Sequence, residues 1–239
     1  MPEPVPERSG SSPAKISMIA LLPNLLVVII ILVSILFIPA GRLDWLQAWA
    51  FVLAFAGYLI FYGLWSVRND QGQLHERSQV GENTKSWDKV ILTIYTILLI
   101  GMLVLAGLDT GRFRWAPVPP VLQGFGWLGA TFAGFIIWWT VSVNTFLSRN
   151  VRIQNDRGQR VIDSGPYARV RHPMYLGIIV FMISIPLLLG SLWALIPGAL
   201  IGILFIVRTA LEDRTLQQEL PGYQEYAKRI RYRLLPWIW

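Results

Sequence analysis

The chain has 239 residues, of which 54% are hydrophobic and only 15% are charged, and its net charge is +7. This is more apolar material than one soluble core of that size holds. The absence of cysteine excludes disulfides, thiolate metal sites and cysteine nucleophiles. The basic residues flank apolar runs of membrane-spanning length, which indicates anionic lipid headgroups as partners and argues against nucleic acid. The composition therefore predicts an integral membrane protein.

Residues 1–15 form a tail rich in Pro, Ser and Glu that we expect to be disordered. Six apolar segments follow, and the first four are long enough to cross a bilayer as helices. The last two are shorter and flank Leu189-Gly190-Ser191, so we expect them to form a tight helical hairpin. The predicted fold is all-α and integral to the membrane, with apolar segments at 16–38, 45–67, 89–108, 121–147, 174–189 and 191–207.

The distribution of lysine and arginine predicts the orientation of these six segments. Eighteen basic residues fall on the side that carries both termini and the loops 68–89 and 148–173, and three fall on the other side. Since cytoplasmic loops carry the excess of Lys and Arg, both termini and the polar loops are expected in the cytoplasm. We expect four spans with loop 68–88 in residues 16–147, and a catalytic region in residues 148–239.

The densest group of polar residues lies in the stretch 164–177, where a loop enters the fifth apolar segment. Pro173 disfavours helical geometry at His172 and suits the first turn of the following helix. The imidazole is therefore predicted at a helix N-terminus, where free N–H groups, Arg169 and Arg171 favour an anionic group. The alternative is that the arginines are ordinary membrane anchors.

Two further features follow the sixth apolar segment. Arg208 and Glu212 are four residues apart, so they share one helix face, either as part of a site or as an ordinary surface ion pair. The basic run 228–233 predicts an amphipathic helix on anionic lipid, which is compatible with a lid over a site. Asn144 is predicted to form hydrogen bonds between helices or to line a cavity.

Taken together, these residues resemble the isoprenylcysteine carboxyl methyltransferase family and the related phospholipid methyltransferases. The resemblance covers roughly residues 148–239, while the first four spans share only their hydrophobicity and two short patterns, Glu76-Arg77 and Lys85-x-Trp87-Asp88. It is carried by Gly165-Pro166-Tyr167, Arg171-His172-Pro173-x-Tyr175-x-Gly177, Glu212 and Gly222-Tyr223-x-x-Tyr226.

The resemblance implies S-adenosylmethionine as cofactor, and no metal is expected. Arg208 matches an arginine on the substrate's side of the family's site, and we assign catalytic roles to Arg208 and Arg171. The positions that match the family's cofactor contacts are Gln159, Arg160, Val161, Ile162, Tyr167, His172, Pro173, Met174, Tyr175 and Glu212.

The expected function is methyl transfer to a lipophilic acceptor at the cytoplasmic membrane face. An isoprenylcysteine-like carboxylate, a lipid headgroup, a small thiol or another apolar carboxylate would each fit as acceptor. Two alternatives remain: an NADPH-dependent membrane reductase of the sterol-reductase type, which resembles the family over the same region, and a non-catalytic membrane protein such as a small transporter.

The orientation leads to a direct test. Because of the 18-to-3 distribution of basic residues, topology reporters fused at residue 1, within loop 68–88 and at residue 239 should all report the cytoplasm. A reporter on the opposite side at any of the three positions would contradict the six-span arrangement.

Overall fold

The computed structural model describes residues 18–70 and 84–239. The predicted tail 1–15 and the Glu76-Arg77 pattern of loop 68–88 lie outside the described residues. Within those residues the secondary structure is helical, apart from one isolated bridge between Pro117 and Ser191. The main helices are α1 (Met18–Ala40), α2 (Leu46–Asn69), α3 (Ser86–Gly107), α4 (Pro120–Val143), α5 (Pro173–Leu189), α6 (Leu195–Glu219) and α7 (Tyr223–Arg229).

The lengths and hydropathy of these helices confirm an all-α integral membrane protein. Five of the described helices, α1 to α4 and α6, are long and apolar enough to span a bilayer, and α5 is a shorter apolar helix of 17 residues. The six-span count stays a prediction. The basic run predicted as an amphipathic helix is helical only up to Arg229, in the seven-residue helix α7, and its contact with lipid also stays a prediction.

The hairpin predicted around Gly190 is formed by α5 and α6. Gly190 has a φ of 86°, a left-handed conformation that suits glycine at the end of a helix. The turn is fixed by the buried carboxylate of Asp109, which accepts hydrogen bonds from the Ser191 hydroxyl at 2.6 Å and the backbone N–H of Ala116 at 3.1 Å. Asp109 therefore ties the end of α3 to the turn of the hairpin.

Close approach of α4 and α5 brings the predicted catalytic region onto the membrane bundle. A Cβ at Gly126 would lie 2.5 Å from the backbone nitrogen of Leu188, and one at Gly177 would lie 2.8 Å from the Ile137 side chain. Both glycines allow this contact because they have no side chain. Gly177 thus serves helix packing.

The ends of α2, α4 and α6 and the starts of α3 and α5 share one end of the bundle, which we call the polar end. Helix α6 continues through Glu219, beyond the apolar segment that was predicted to end at residue 207. Its last three turns carry Arg208, Glu212 and Asp213 into the polar end. This extension supplies Glu212 to the lining of the candidate site.

Candidate functional site

A cleft opens at the polar end between the loop that follows α4, the start of α5, the extension of α6, and α7. Its space is about 810 Å³, which includes the open mouth and the solvent there. One side is formed by residues 144–154, which we call the wall segment. The other side includes Tyr167, Tyr175, Glu212, Tyr223 and Tyr226.

The start of α5 has the geometry predicted from its sequence. His172 has a φ of −128° and a ψ of 60°, outside the helical region, and the helix begins at Pro173. The His172 ring is nearly parallel to that of Tyr175, with a centroid distance of 5.8 Å. The backbone N–H of His172 donates to the carbonyl oxygen of Arg233 at 2.9 Å, so this end of α5 is held by a segment 60 residues downstream.

Asp213 is the centre of the polar network behind the cleft. Its carboxylate is fully buried and accepts two hydrogen bonds from the Arg171 guanidinium, at 2.7 and 2.9 Å. Arg233 donates to the same carboxylate at 2.9 Å and Gln217 at 2.8 Å. Arg171 also donates to the carbonyl oxygens of Ile230 and Arg231. Asp213 and Arg171 therefore fix the segment after α7 against the start of α5.

The same network accounts for the two tyrosines of the Gly222-Tyr223-x-x-Tyr226 motif. The Tyr223 hydroxyl donates to Asp213 at 3.0 Å, and Tyr226 donates to the carbonyl oxygen of Tyr167 at 2.8 Å. Burial, and then the charge of Asp213, raise the pKa of Tyr223, so its hydroxyl stays protonated as a donor. The hydrogen bonds and charge of Asp213 outweigh the burial of Arg171 and raise the pKa of that guanidinium.

Glu212 lies next to Asp213 in sequence but faces the cleft. Its carboxylate accepts a hydrogen bond from the hydroxyl of Tyr175, and both residues line the cleft. A half-buried carboxylate beside an aromatic ring is an environment suited to a cationic ligand.

Arg208, assigned a catalytic role from its sequence position, lies outside the cleft lining. Its guanidinium is buried, donates to both carboxylate oxygens of Asp88 at 2.8 and 3.1 Å, and lies 5.1 Å from the centre of the Tyr175 ring. The ion pair considered with Glu212 is therefore formed with Asp88 on α3 instead.

Side-chain amides organise the wall segment and the loop beyond it. Asn144 donates to the Tyr167 hydroxyl at 2.8 Å, and Gln159 accepts from the backbone N–H of Gln154 at 2.7 Å. Asn144 thus lines the cleft, as one of its two predicted roles required, while its hydrogen bond goes to the loop before α5 and does not join two of the main helices. These bonds place residues 159–162 at the mouth beside the motif residues.

The structure brings together most of the residues predicted for the site. Two residues were assigned catalytic roles. Arg171 lines the cleft, with its guanidinium bonded to Asp213, and Arg208 lies behind Tyr175. Pro173 starts α5 without being part of the lining. The remaining predicted cofactor positions all line the cleft: Gln159, Arg160, Val161, Ile162, Tyr167, His172, Met174, Tyr175 and Glu212.

Sequence reasoning missed Asp213, noted Asp88 only within the Lys85-x-Trp87-Asp88 pattern, and singled out only Asn144 from the wall segment. The acidic pair Glu212-Asp213 directly after an apolar run was a usable signal, because charges beside a membrane helix need partners. The wall segment has no periodic or motif pattern. Among the described residues, no cluster of three His, Asp or Glu side chains has the geometry of a metal site.

An apolar groove lies deeper in the bundle, between α2, α4 and α5. Its space is about 1140 Å³ including the open side. Phe181 and Leu188 line the groove, and Met174, which lines the cleft, precedes Phe181 by seven residues on the same face of α5. The groove is also lined by Phe51, Ala54, Phe55, Tyr58, Phe61, Trp127, Ala130, Thr131, Gly134, Phe135, Ile137 and Trp138.

One stretch of the chain, around the cleft, matches a known protein family. Residues 127–218 match the isoprenylcysteine carboxyl methyltransferase (ICMT) family. The family resemblance predicted from the motif residues is confirmed over this stretch, which runs from α4 through most of α6 and contains the wall segment, the start of α5 and Glu212. The match covers 92 of the 239 residues, and over this stretch the chain is similar to the family.

Two curated relatives belong to the same broad membrane superfamily. The chain is 30% identical over 137 residues to the cobalt-zinc-cadmium resistance protein CzcN of Cupriavidus metallidurans. This alignment covers 53% of this chain and 56% of that protein. It is 33% identical over 85 residues to the Delta(14)-sterol reductase TM7SF2 of Mus musculus, covering 34% of this chain and 20% of the reductase. The aligned part is thus about half of the first relative and a fifth of the second.

The network around Asp213 gives a stability prediction. Asp213→Asn should lower the unfolding free energy by about 3–5 kcal/mol, because Arg171 would be left buried without its charge partner. Asp156→Asn is the matched control, since Asp156 also pairs with an arginine, Arg152, but is 62% exposed, and it should cost about 0–1 kcal/mol. Thermal unfolding in detergent micelles measures both, and equal shifts for the two variants would contradict a structural role for Asp213.

Proposed function

We propose that the protein transfers a methyl group from S-adenosylmethionine to a lipophilic acceptor that reaches the cleft from the bilayer. The observation that carries this proposal is the cleft itself. It joins the family's motif residues from three separate parts of the chain around one half-buried carboxylate, Glu212.

The chemistry of the cleft fits this cofactor. S-adenosylmethionine supplies a methyl group on a sulfonium, which leaves as a neutral thioether when a nucleophile forms a bond to the methyl carbon. Glu212 and the ring of Tyr175 provide a negative charge and an aromatic face for a cationic ligand. The polar wall segment offers side-chain amides and backbone groups for the rest of the molecule. The residues align the reactants, which is the main requirement of a direct displacement.

The apolar groove supports a lipophilic acceptor. It starts about two helical turns, or roughly 10 Å, deeper along α5 than Met174 in the cleft. A chain lying in the groove would bring a polar head towards the cleft while its apolar part stays among Phe51, Phe55 and Phe181. We propose a carboxylate or lipid headgroup on such a chain as the methyl acceptor.

A reductase is the second candidate, and the similarity to the sterol reductase favours it. NADPH would place phosphate groups in the cleft and would need unpaired cations there. Of the three arginines that line the cleft, two are bonded to carboxylates, Arg171 to Asp213 and Arg152 to Asp156, and the third is Arg160. Together with Glu212, this charge arrangement supports the methyltransferase.

The cofactor proposal is tested by binding. S-adenosylhomocysteine should bind the purified protein by calorimetry, and NADPH should not. Glu212→Gln should weaken binding by about 1.5–3 kcal/mol, because it removes a charged hydrogen-bond acceptor from the cleft. Glu219→Gln is the matched control, since Glu219 lies on the same helix but is bonded to Lys85 outside the cleft lining, and it should leave the affinity unchanged. Binding of NADPH alone would favour the reductase.

The acceptor proposal is tested in the groove. Ala130→Phe fills part of it and should raise the KM for an active acceptor by about tenfold, as overpacking of an apolar site does, while S-adenosylhomocysteine affinity stays unchanged. Leu128→Phe, on a position of α4 that is 68% exposed, is the control. Transfer of a labelled methyl group to S-farnesylated N-acetylcysteine and to phosphatidylethanolamine vesicles gives the readout. Equal KM values for the two variants would exclude the groove as the acceptor's path.

A further inference from the structure

The ion pair between Asp88 and Arg208 joins helices α3 and α6 behind the cleft. Its side chains are 0% and 5% exposed, and its two oxygen–nitrogen distances are 2.8 and 3.1 Å. The partners are 120 residues apart in sequence. A buried pair of this kind is costly to leave half-formed, because the remaining charge has no water around it.

Both partners also hold the backbone of the wall segment. Arg208 donates to the carbonyl oxygen of Arg149 at 2.8 Å, and Asp88 accepts from the backbone N–H of Val151 at 2.8 Å. The backbone N–H of Lys85 donates to the carbonyl oxygen of Val151 at 3.3 Å. The residues on either side of Arg149 line the cleft, so the pair fixes this wall where the wall crosses the start of α3.

The guanidinium of Arg208 supports the opposite side of the cleft as well. It lies 5.1 Å from the centre of the Tyr175 ring, in the range of a cation–π contact. The hydroxyl of Tyr175 in turn donates to Glu212, one helical turn after Arg208. Arg208 therefore touches the wall segment and Tyr175, and reaches Glu212 through that ring.

We propose that Asp88 and Arg208 are positioning residues, which together hold the two sides of the cleft at the separation that binds the cofactor. Arg208 acts through Tyr175 and the wall segment and does not touch the acceptor. The identity of the ligand rests on the proposed function, whereas the effect of the pair on the wall segment is independent of it.

A double-mutant cycle separates this role from direct action on a reactant. Arg208→Met leaves the Asp88 carboxylate buried and unpaired, and Asp88→Asn leaves the Arg208 charge unpaired. The double variant Asp88→Asn/Arg208→Met has no unpaired charge, and its amide oxygen can still accept from Val151. The double variant should therefore be less impaired than Arg208→Met.

Two measurements are made on each variant in detergent. The first is hydrogen exchange of residues 144–154 in the ligand-free protein, which should become faster in both single variants and return towards the wild-type rate in the double variant. The second is affinity for S-adenosylhomocysteine, which should fall by about tenfold or more in the single variants and partly recover in the double variant. Arg42→Met, which breaks the exposed pair with Asp44, is the control and should change neither.

The outcomes are distinct. If Arg208 instead orients the acceptor, Arg208→Met leaves exchange and S-adenosylhomocysteine affinity unchanged, and the proposal is overturned. The proposal is also overturned if residues 144–154 exchange as fast in the double variant as in Arg208→Met, or if the double variant does not fold. Single variants that fail to fold beside a folded, protected double variant support it. If the wild-type protein binds no S-adenosylhomocysteine, the proposed function fails, while the exchange measurement still decides the role of the pair.

Discussion

Charged groups at the end of a membrane bundle need protein partners, because the hydrocarbon beside them contains no water to solvate them. At the polar end of this protein that constraint is met chiefly by the buried carboxylate of Asp213, which collects hydrogen bonds from α5, α6, α7 and the segment after α7. The start of α5, the tyrosines of α7 and the position of Glu212 beside the cleft all depend on it. The separate pair of Asp88 and Arg208 does the same for the wall segment. The charges of Asp213, Arg171, Asp88 and Arg208 are thus paired with one another, whereas Glu212 in the cleft lining is bonded to the neutral hydroxyl of Tyr175.

Short sequence patterns were sufficient to predict the features that are set by interactions between neighbouring residues. The position of His172 before Pro173, the left-handed Gly190 and the apolar length of each helix follow from preferences that act within a few residues. These features predicted the hairpin, and the motif predicted which residues meet at its entrance. The apolar segment predicted at 191–207 ends before α6 does, and the helical continuation implied by the spacing of Arg208 and Glu212 is present, because α6 runs through Glu219.

Pairings over long sequence distances were beyond such reasoning. Arg208 and Glu212 share a helix face, and this spacing suggested an interaction between them, yet the nearer partner in space comes from α3. The Lys85-x-Trp87-Asp88 pattern marks Asp88, but its position in the first turn of a helix does not indicate a partner 120 residues away. The wall segment, likewise, takes its shape from bonds to Asp88 and Arg208, so its role could not be read from its own residues.

The length of α5 has a consequence for where the chemistry takes place. At 17 residues the helix is roughly 25 Å long, several ångströms short of the roughly 30 Å hydrocarbon core of a typical bilayer. A span of this length is accommodated by local thinning of the bilayer or by drawing its polar flanks inwards. The cleft sits directly on the start of this helix, so a bilayer spanned by α5 would place the floor of the cleft near the level where acyl chains give way to headgroups. At that depth, a molecule dissolved in the membrane would present its reactive atom to the cleft without leaving the leaflet. The thickness of the bilayer would then set how deeply the cleft is immersed.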